Sequence, residues 1–163
     1  MDRVLVIGCP GSGKSTFSRA LAEKTGLPVV HLDQLNWNAD RTTVAKEVFR
    51  ERLRKAMEEP EWIIDGNYGS TMEARLAACD AVFFLDYPTE VCLNGVLSRR
   101  GTARPDMPWV EDPNDVDEEF LDFVRAYEHE SRPTVLALLE QYQDREIVVF
   151  RSREEAARYL EML

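Results

Sequence analysis

Residues Gly8 to Thr16 read G-C-P-G-S-G-K-S-T and match the spacing G-x-x-x-x-G-K-[ST]. That spacing answers a definite physical demand. A chain leaving a strand has to wrap its backbone N–H groups around an oxyanion, and side chains at the glycine positions would obstruct it. Gly8, Cys9, Pro10, Gly11, Ser12, Gly13, Lys14, Ser15 and Thr16 are therefore candidate phosphate-binding residues. Lys14 supplies a point charge able to reach β- and γ-phosphates, and the Ser15 hydroxyl can ligate Mg²⁺. A helix opening at the loop turns its positive dipole end toward the same anion. The competing reading is a glycine turn between two core elements.

Carboxylates at strand ends are the next candidates. Asp65 closes Trp62-Ile63-Ile64, and a carboxylate there beside a phosphate loop can hold the Mg²⁺ shell, often through water. Asp65-Gly66 is equally a turn-forming pair. Asp33 closes His31-Leu32-Asp33 and can orient or deprotonate an acceptor hydroxyl, or help hold Mg²⁺; the plainer reading is a helix cap. Asp86, before Tyr87-Pro88, reads as a helix-start residue, and His31 as a core histidine with no chemical role. Arg99 and Arg100 end a helix, and Arg104 follows in a loop. Closing over phosphates, these guanidinium groups would neutralise charge in the transition state, although cations also favour any helix C-terminus. Arg75, Arg125 and Arg132 are weaker phosphate candidates. Trp37, Tyr68 and Trp109 can line an acceptor pocket or simply pack. A regulatory thiol at Cys9 is the least favoured of these readings.

The elements that position these groups follow from patterning. Val4-Leu5-Val6-Ile7 is a β-branched apolar run suited to a buried parallel strand. Phe17, Ala20, Leu21 and Lys24 continue at helical spacing, so strand, loop and helix come in the required order. Gly26-Leu27-Pro28 stops that helix. A second strand covers Val29 to Leu32, ending at Asp33, with a loop from Gln34 to Arg41. A helix from Thr42 to Glu58 points Val44, Val48, Leu53 and Met57 inward. The third strand is Trp62 to Ile64, a short helix covers Thr71 to Ala78, and the fourth strand is Ala81 to Leu85. Pro88 starts a helix with Val91, Val96 and Leu97 as core candidates.

Between Arg104 and Glu119 stand three prolines and seven acidic residues with little periodicity, which reads as a surface loop or mobile flap. Phe120, Phe123, Val124 and Tyr127 restore a helix, and Val135, Leu136, Leu138, Leu139 and Tyr142 form another after Pro133. Glu146 to Phe150 is the fifth strand. A terminal helix from Glu154 to Leu163 turns Ala156, Leu160 and Leu163 inward. Five short apolar strands separated by helices predict an α/β fold, a parallel sheet with helices on both faces. Ligands in such sheets sit beyond the carboxyl ends of the strands.

Bulk properties narrow the class. The chain has 163 residues, 44% hydrophobic, enough for one domain with a real core over 1–163. No apolar run approaches a membrane span of roughly 18 residues, and the first strand starts too early to leave room for a signal peptide. Cys9, Cys79 and Cys92 show no metal spacing and leave an odd count, which suits a reducing, cytoplasmic location. The net charge of −10 disfavours a protein that grips nucleic-acid backbone, although a local basic patch would permit it.

The chain resembles the adenylate kinases at Trp62-Ile63-Ile64-Asp65-Gly66 and at Arg99-Arg100 before a flap. It resembles more closely the bacterial DNA topology modulation proteins, related to flagellar regulators. That likeness rests on Gly8–Thr16, His31-Leu32-Asp33, Asp65-Gly66-Asn67-Tyr68, the segment Thr102 to Met107, Ser131-Arg132-Pro133 and Arg151-Ser152-Arg153. The resemblance implies a P-loop NTPase fold of nucleoside-monophosphate-kinase type, three layers α/β/α with strand order 2-3-1-4-5 and a short lid over 100–119. It implies ATP on Gly8–Thr16, Mg²⁺ near Ser15 and Asp65, lid roles for Arg99, Arg100 and Arg104, and Arg151 and Arg153 near the nucleotide base. Asn67-Tyr68-Gly69 stands where adenylate kinases carry a Pro-Arg that grips the acceptor nucleotide, which argues against AMP.

The expectation is a small kinase, catalytic through Lys14, Asp33, Arg99, Arg100 and Arg104. Asp33, Trp37, Asn67, Tyr68 and Arg75 would form an acceptor site supported by 34–60. Its partners would be a nucleotide and a small-molecule acceptor, in a monomer or small homo-oligomer. The alternative is an ATP-dependent regulatory or nucleic-acid-binding protein with slow or no phosphoryl transfer.

Overall fold

A computed structural model describes residues 1–100, 105–110 and 117–163. The predicted Arg104 and parts of the predicted lid lie outside the described residues. Five parallel strands, β1 (Arg3–Gly8), β2 (Val29–His31), β3 (Trp62–Asp65), β4 (Ala81–Leu85) and β5 (Glu146–Phe150), form one sheet in the order β2-β3-β1-β4-β5. The helices are α1 (Lys14–Thr25), α2 (Leu32–Asn36), α3 (Lys46–Glu58), α4 (Gly69–Ala78), α5 (Thr89–Ser98), α6 (Glu118–Glu130), α7 (Arg132–Gln141) and α8 (Arg153–Glu161). The three-layer α/β/α fold and its strand order are as expected.

The unbroken apolar run of β1 has a direct cause. Val4 and Val6 pack into one core with Phe17, Leu21, Phe83 and Phe150, while Leu5 and Ile7 pack into a second with Trp62, Ile64, Phe84 and Leu76. Successive strand residues point to opposite faces, so a strand covered on both sides needs apolar residues at every position. The central position of β1, between β3 and β4, places its C-terminal loop in the middle of the sheet edge. No helix is long and apolar enough to cross a membrane among the described residues.

Several boundary and facing expectations are corrected. The strand β2 ends at His31, paired with Asp65, and the segment expected as a loop opens with α2, so Asp33 lies in a first helical turn. Helix α3 starts at Lys46 rather than Thr42, because Val44 N–H bonds to Asn36 O at 2.9 Å. The shift turns Phe49 inward and leaves Val48 exposed. Leu97 and Leu163, expected inside, are also exposed.

Candidate active site

The loop after β1 makes the floor of a cavity of about 990 Å³ at the carboxyl ends of the strands. Gly11 and Gly13 adopt φ 85° and 95°, a region where side chains are strained. Space is also lacking: a Cβ on Gly11 would lie 2.0 Å from Cys92 O, and one on Gly13 would lie 2.8 Å from an Arg153 guanidinium nitrogen. Lys14 Nζ donates to Gly8 O at 3.0 Å and Cys9 O at 3.2 Å. Burial lowers the Lys14 pKa and Arg99 lowers it further, while the carboxylates of Asp33 and Asp65 oppose that shift. The buried Ser12 hydroxyl has no hydrogen-bond partner among the described residues. A cradle shut to side chains, a lysine and a helix N-terminus together fit a polyphosphate.

Sequence reasoning missed Gly95, which clamps this loop from α5. A Cβ there would stand 2.0 Å from Gly11 O. A glycine in a helix interior, costly by propensity, was the available signal. It also missed Arg19, which lines the cavity and donates to the Ser15 hydroxyl; the signal was its i+4 spacing from Ser15 on one helix face.

The other wall comes from β2 and β3. Asp65 is buried, and its Oδ2 lies 2.6 Å from His31 Nδ1. The core histidine expected at position 31 is therefore bonded to the candidate metal carboxylate. Asp33 lines the cavity and accepts from the Tyr68 hydroxyl at 2.5 Å. Burial raises the Asp33 pKa; the Tyr68 hydrogen bond and Lys14 lower it, and Asp106 and Asp65 raise it. Tyr68 holds a left-handed backbone, φ 38°, with its ring 4.9 Å edge-on from Phe49. Asn67 lines the cavity too, and its Oδ1 accepts from Gly8 N–H at 3.2 Å. The loop after β3 and the loop after β1 are thus bonded directly. Trp37 lines the cavity and meets Trp109 edge-on at 5.7 Å.

Several predicted arginines are elsewhere. Arg75 is wholly buried under the loop after β3 and donates to Gly66 O, Asn67 O, Tyr68 O and Thr71 Oγ1. Desolvation lowers its pKa to about 10. It holds the loop and does not line the cavity. Arg151 also misses the cavity: together with Arg132 it pairs with buried Asp86, at 3.0 Å and 2.8 Å. Asp86 is thus an ion-pair anchor at the end of β4, beside a separate cleft of about 400 Å³. Arg125 is an exposed partner of Asp122. Arg99 lines the main cavity and Arg100 does not. Arg153 reaches the phosphate loop, donating to Ser12 O at 2.8 Å and Gly11 O at 3.0 Å. The Cys9 thiol faces Val124 O at 3.9 Å, away from the main cavity. The Cys92 thiol and burial push its pKa up, which argues against a reactive thiol.

With this geometry in hand, two solved structures match nearly the whole chain. The shikimate kinase of Acinetobacter baumannii, in complex with shikimate, superposes with a TM-score of 0.66 at 18% identity, covering 99% of this chain and 92% of that one. The shikimate kinase of Bacteroides thetaiotaomicron gives 0.59 at 20% identity, covering 99% and 95%. The fold is the one that these two solved kinases share. By sequence, 94 residues are 29% identical to the adenylate kinase of Thermotoga neapolitana, 56% of this chain and 42% of that protein. The matched stretch therefore spans less than half of that relative. No family profile matches the sequence.

Proposed function

We propose that this chain is a small-molecule kinase that transfers the γ-phosphoryl group of MgATP to a hydroxyl of a small acceptor. The observation that carries the proposal is that Asp33 and Lys14 line one cavity at the strand ends, each perturbing the other's ionisation. When bound, MgATP supplies the phosphoryl donor and the charge-neutralising ion. Residues Gly8–Thr16 would hold the phosphates, and Ser15 and Asp65 would hold the Mg²⁺. Lys14 and Arg99 offset negative charge on the phosphoryl oxygens.

Asp33 accepts a hydrogen bond from the acceptor hydroxyl and takes its proton. Its raised pKa makes it a better base than an ordinary solvated aspartate. Tyr68 fixes one carboxylate oxygen of Asp33, leaving the other to the acceptor. The phosphate-loop glycines with Asn67 set the donor's distance from that oxygen. The finer likeness to topology modulation proteins, including Arg100 and Arg104 as lid residues, belongs to the same reading and adds no separate chemistry to it.

The test is transfer of ³²P from [γ-³²P]ATP to a panel of nucleosides, nucleoside monophosphates and hydroxylated metabolites, beside a DNA-binding assay. A labelled acceptor, lost in Lys14→Ala, is the expected result. Salt-sensitive DNA affinity with no labelled acceptor would overturn it.

A further inference from the structure

Arg153 opens α8, and a cation in a first helical turn opposes the helix dipole. Local structure therefore gives no reason for an arginine there. Tertiary contacts do. The guanidinium stands over the Tyr87 ring, 5.5 Å from its centroid. Its Nη1 donates to Ser12 O at 2.8 Å and its Nη2 to Gly11 O at 3.0 Å. Two glycines leave it room: a Cβ on Gly13 would lie 2.8 Å from Nη1, and one on Gly95 would lie 3.1 Å from Nη2. The guanidinium fork is thus seated between the loop after β1 and α5.

These two bonds set the direction of two peptide planes. No peptide bond is cis among the described residues, and a planar trans unit points its C=O and N–H opposite ways. A donor on Ser12 O therefore turns the Gly13 N–H away from the guanidinium. A donor on Gly11 O does the same to the Ser12 N–H, which closes a turn onto Cys9 O at 3.1 Å. Gly11 and Gly13 have no side chains to restrict these planes, so an outside contact has to hold them. One rigid, planar fork can hold both at once.

The labour is divided along the loop. Lys14 holds the carbonyls of Gly8 and Cys9, and Arg153 holds those of Gly11 and Ser12. We propose that Arg153 is a positioning residue for polyphosphate, acting through the peptide planes of Gly11 to Gly13 and not through the nucleotide base. A cradle of N–H groups binds an anion only when those groups converge, and Arg153 holds the Gly13 N–H in that arrangement. This rests on the kinase reading, and it replaces the base contact that the sequence resemblance implies for this arginine.

The experiment compares two probes on the full chain with Mg²⁺: a non-hydrolysable ATP analogue, and inorganic tripolyphosphate, which carries phosphates and no base. Affinities are measured by calorimetry for the parent, Arg153→Lys and Arg153→Met, with urea unfolding of each protein to count the folded fraction separately. Both variants are expected to lose at least about tenfold in affinity for both probes, by factors that agree within about threefold. Arg153→Lys should not restore binding, since one ammonium cannot reproduce the fork; it carries the comparison if Arg153→Met does not fold. A loss confined to the ATP analogue would put Arg153 on the base and overturn the proposal. Unchanged affinity for both probes, parental affinity in Arg153→Lys, or a parent that binds the ATP analogue but not tripolyphosphate would overturn it too. Failure of the parent to bind the ATP analogue overturns the kinase reading, and the role of Arg153 with it.

Discussion

Tyr68 donates its hydroxyl to Asp33 at 2.5 Å, joining the left-handed turn after β3 to the first turn of α2. The bond crosses 35 residues of sequence and holds the carboxylate on the cavity wall. Asp33→Asn should keep this bond and the fold while removing the base. Phosphoryl transfer should fall by roughly 10²–10⁴-fold, with ATP affinity within a few-fold of the parent by calorimetry.

The same carboxyl gives a pH signature. Its folded pKa lies above the unfolded value of about 3.9, with burial as the leading cause. The unfolded state therefore releases this proton first. The contribution of Asp33 to stability is most favourable below the unfolded pKa and is lost as pH rises through the folded pKa. Asp33→Asn should thus be more stable than the parent at pH 7, by roughly 0.5–2 kcal/mol, and the gap should close at low pH in urea titrations. In the parent, kcat/KM should fall as pH drops through the raised Asp33 pKa.

Arg75 is predicted to act through structure. Arg75→Met keeps the volume but leaves the carbonyls of Gly66, Asn67 and Tyr68 without their donor. The cost should be roughly 2–4 kcal/mol in urea unfolding. Acceptor KM should rise more than ATP KM, because the loop that fixes Tyr68 loosens. Arg75→Lys should not restore the parent, since one ammonium cannot reproduce the planar fork.

Gly95→Ala places a methyl group 2.0 Å from Gly11 O. The helix should gain propensity and the protein should still lose stability, by roughly 1–3 kcal/mol. ATP affinity should fall by at least about tenfold as the phosphate loop is displaced. A stabilised Gly95→Ala protein with parental ATP affinity would contradict the close approach of α5.

The adjacent Arg99 and Arg100 should separate. Arg99→Ala should lower kcat by roughly 10²–10³-fold, more than it weakens ATP binding. Arg100→Ala should stay within about threefold of the parent, because the Arg100 side chain does not line the cavity.

Much of the glycine-rich loop was legible in the sequence because its requirements are local. A phosphate cradle needs glycine where a left-handed backbone and close approach coincide, and Gly11 and Gly13 satisfy both within one short loop. The strands were legible because β1 is covered on both faces and so is apolar throughout. Arg75 and Arg151 were misplaced for the opposite reason. A guanidinium group reads the same in sequence whether it meets a phosphate, a buried Asp86 or three carbonyls, and only long-range packing decides among them.

By itself the sequence determined an α/β protein with a glycine-rich loop after its first strand, strand-end carboxylates and the two-sided core of its sheet. These follow from short-range periodicity and from steric rules on glycine. Tertiary structure alone decided that Gly95 presses on Gly11, that His31 bonds Asp65, and that Asp33, Lys14 and Arg99 line one cavity. Those relations join residues far apart in the chain, and they exist only once the order β2-β3-β1-β4-β5 brings the strand ends to one edge.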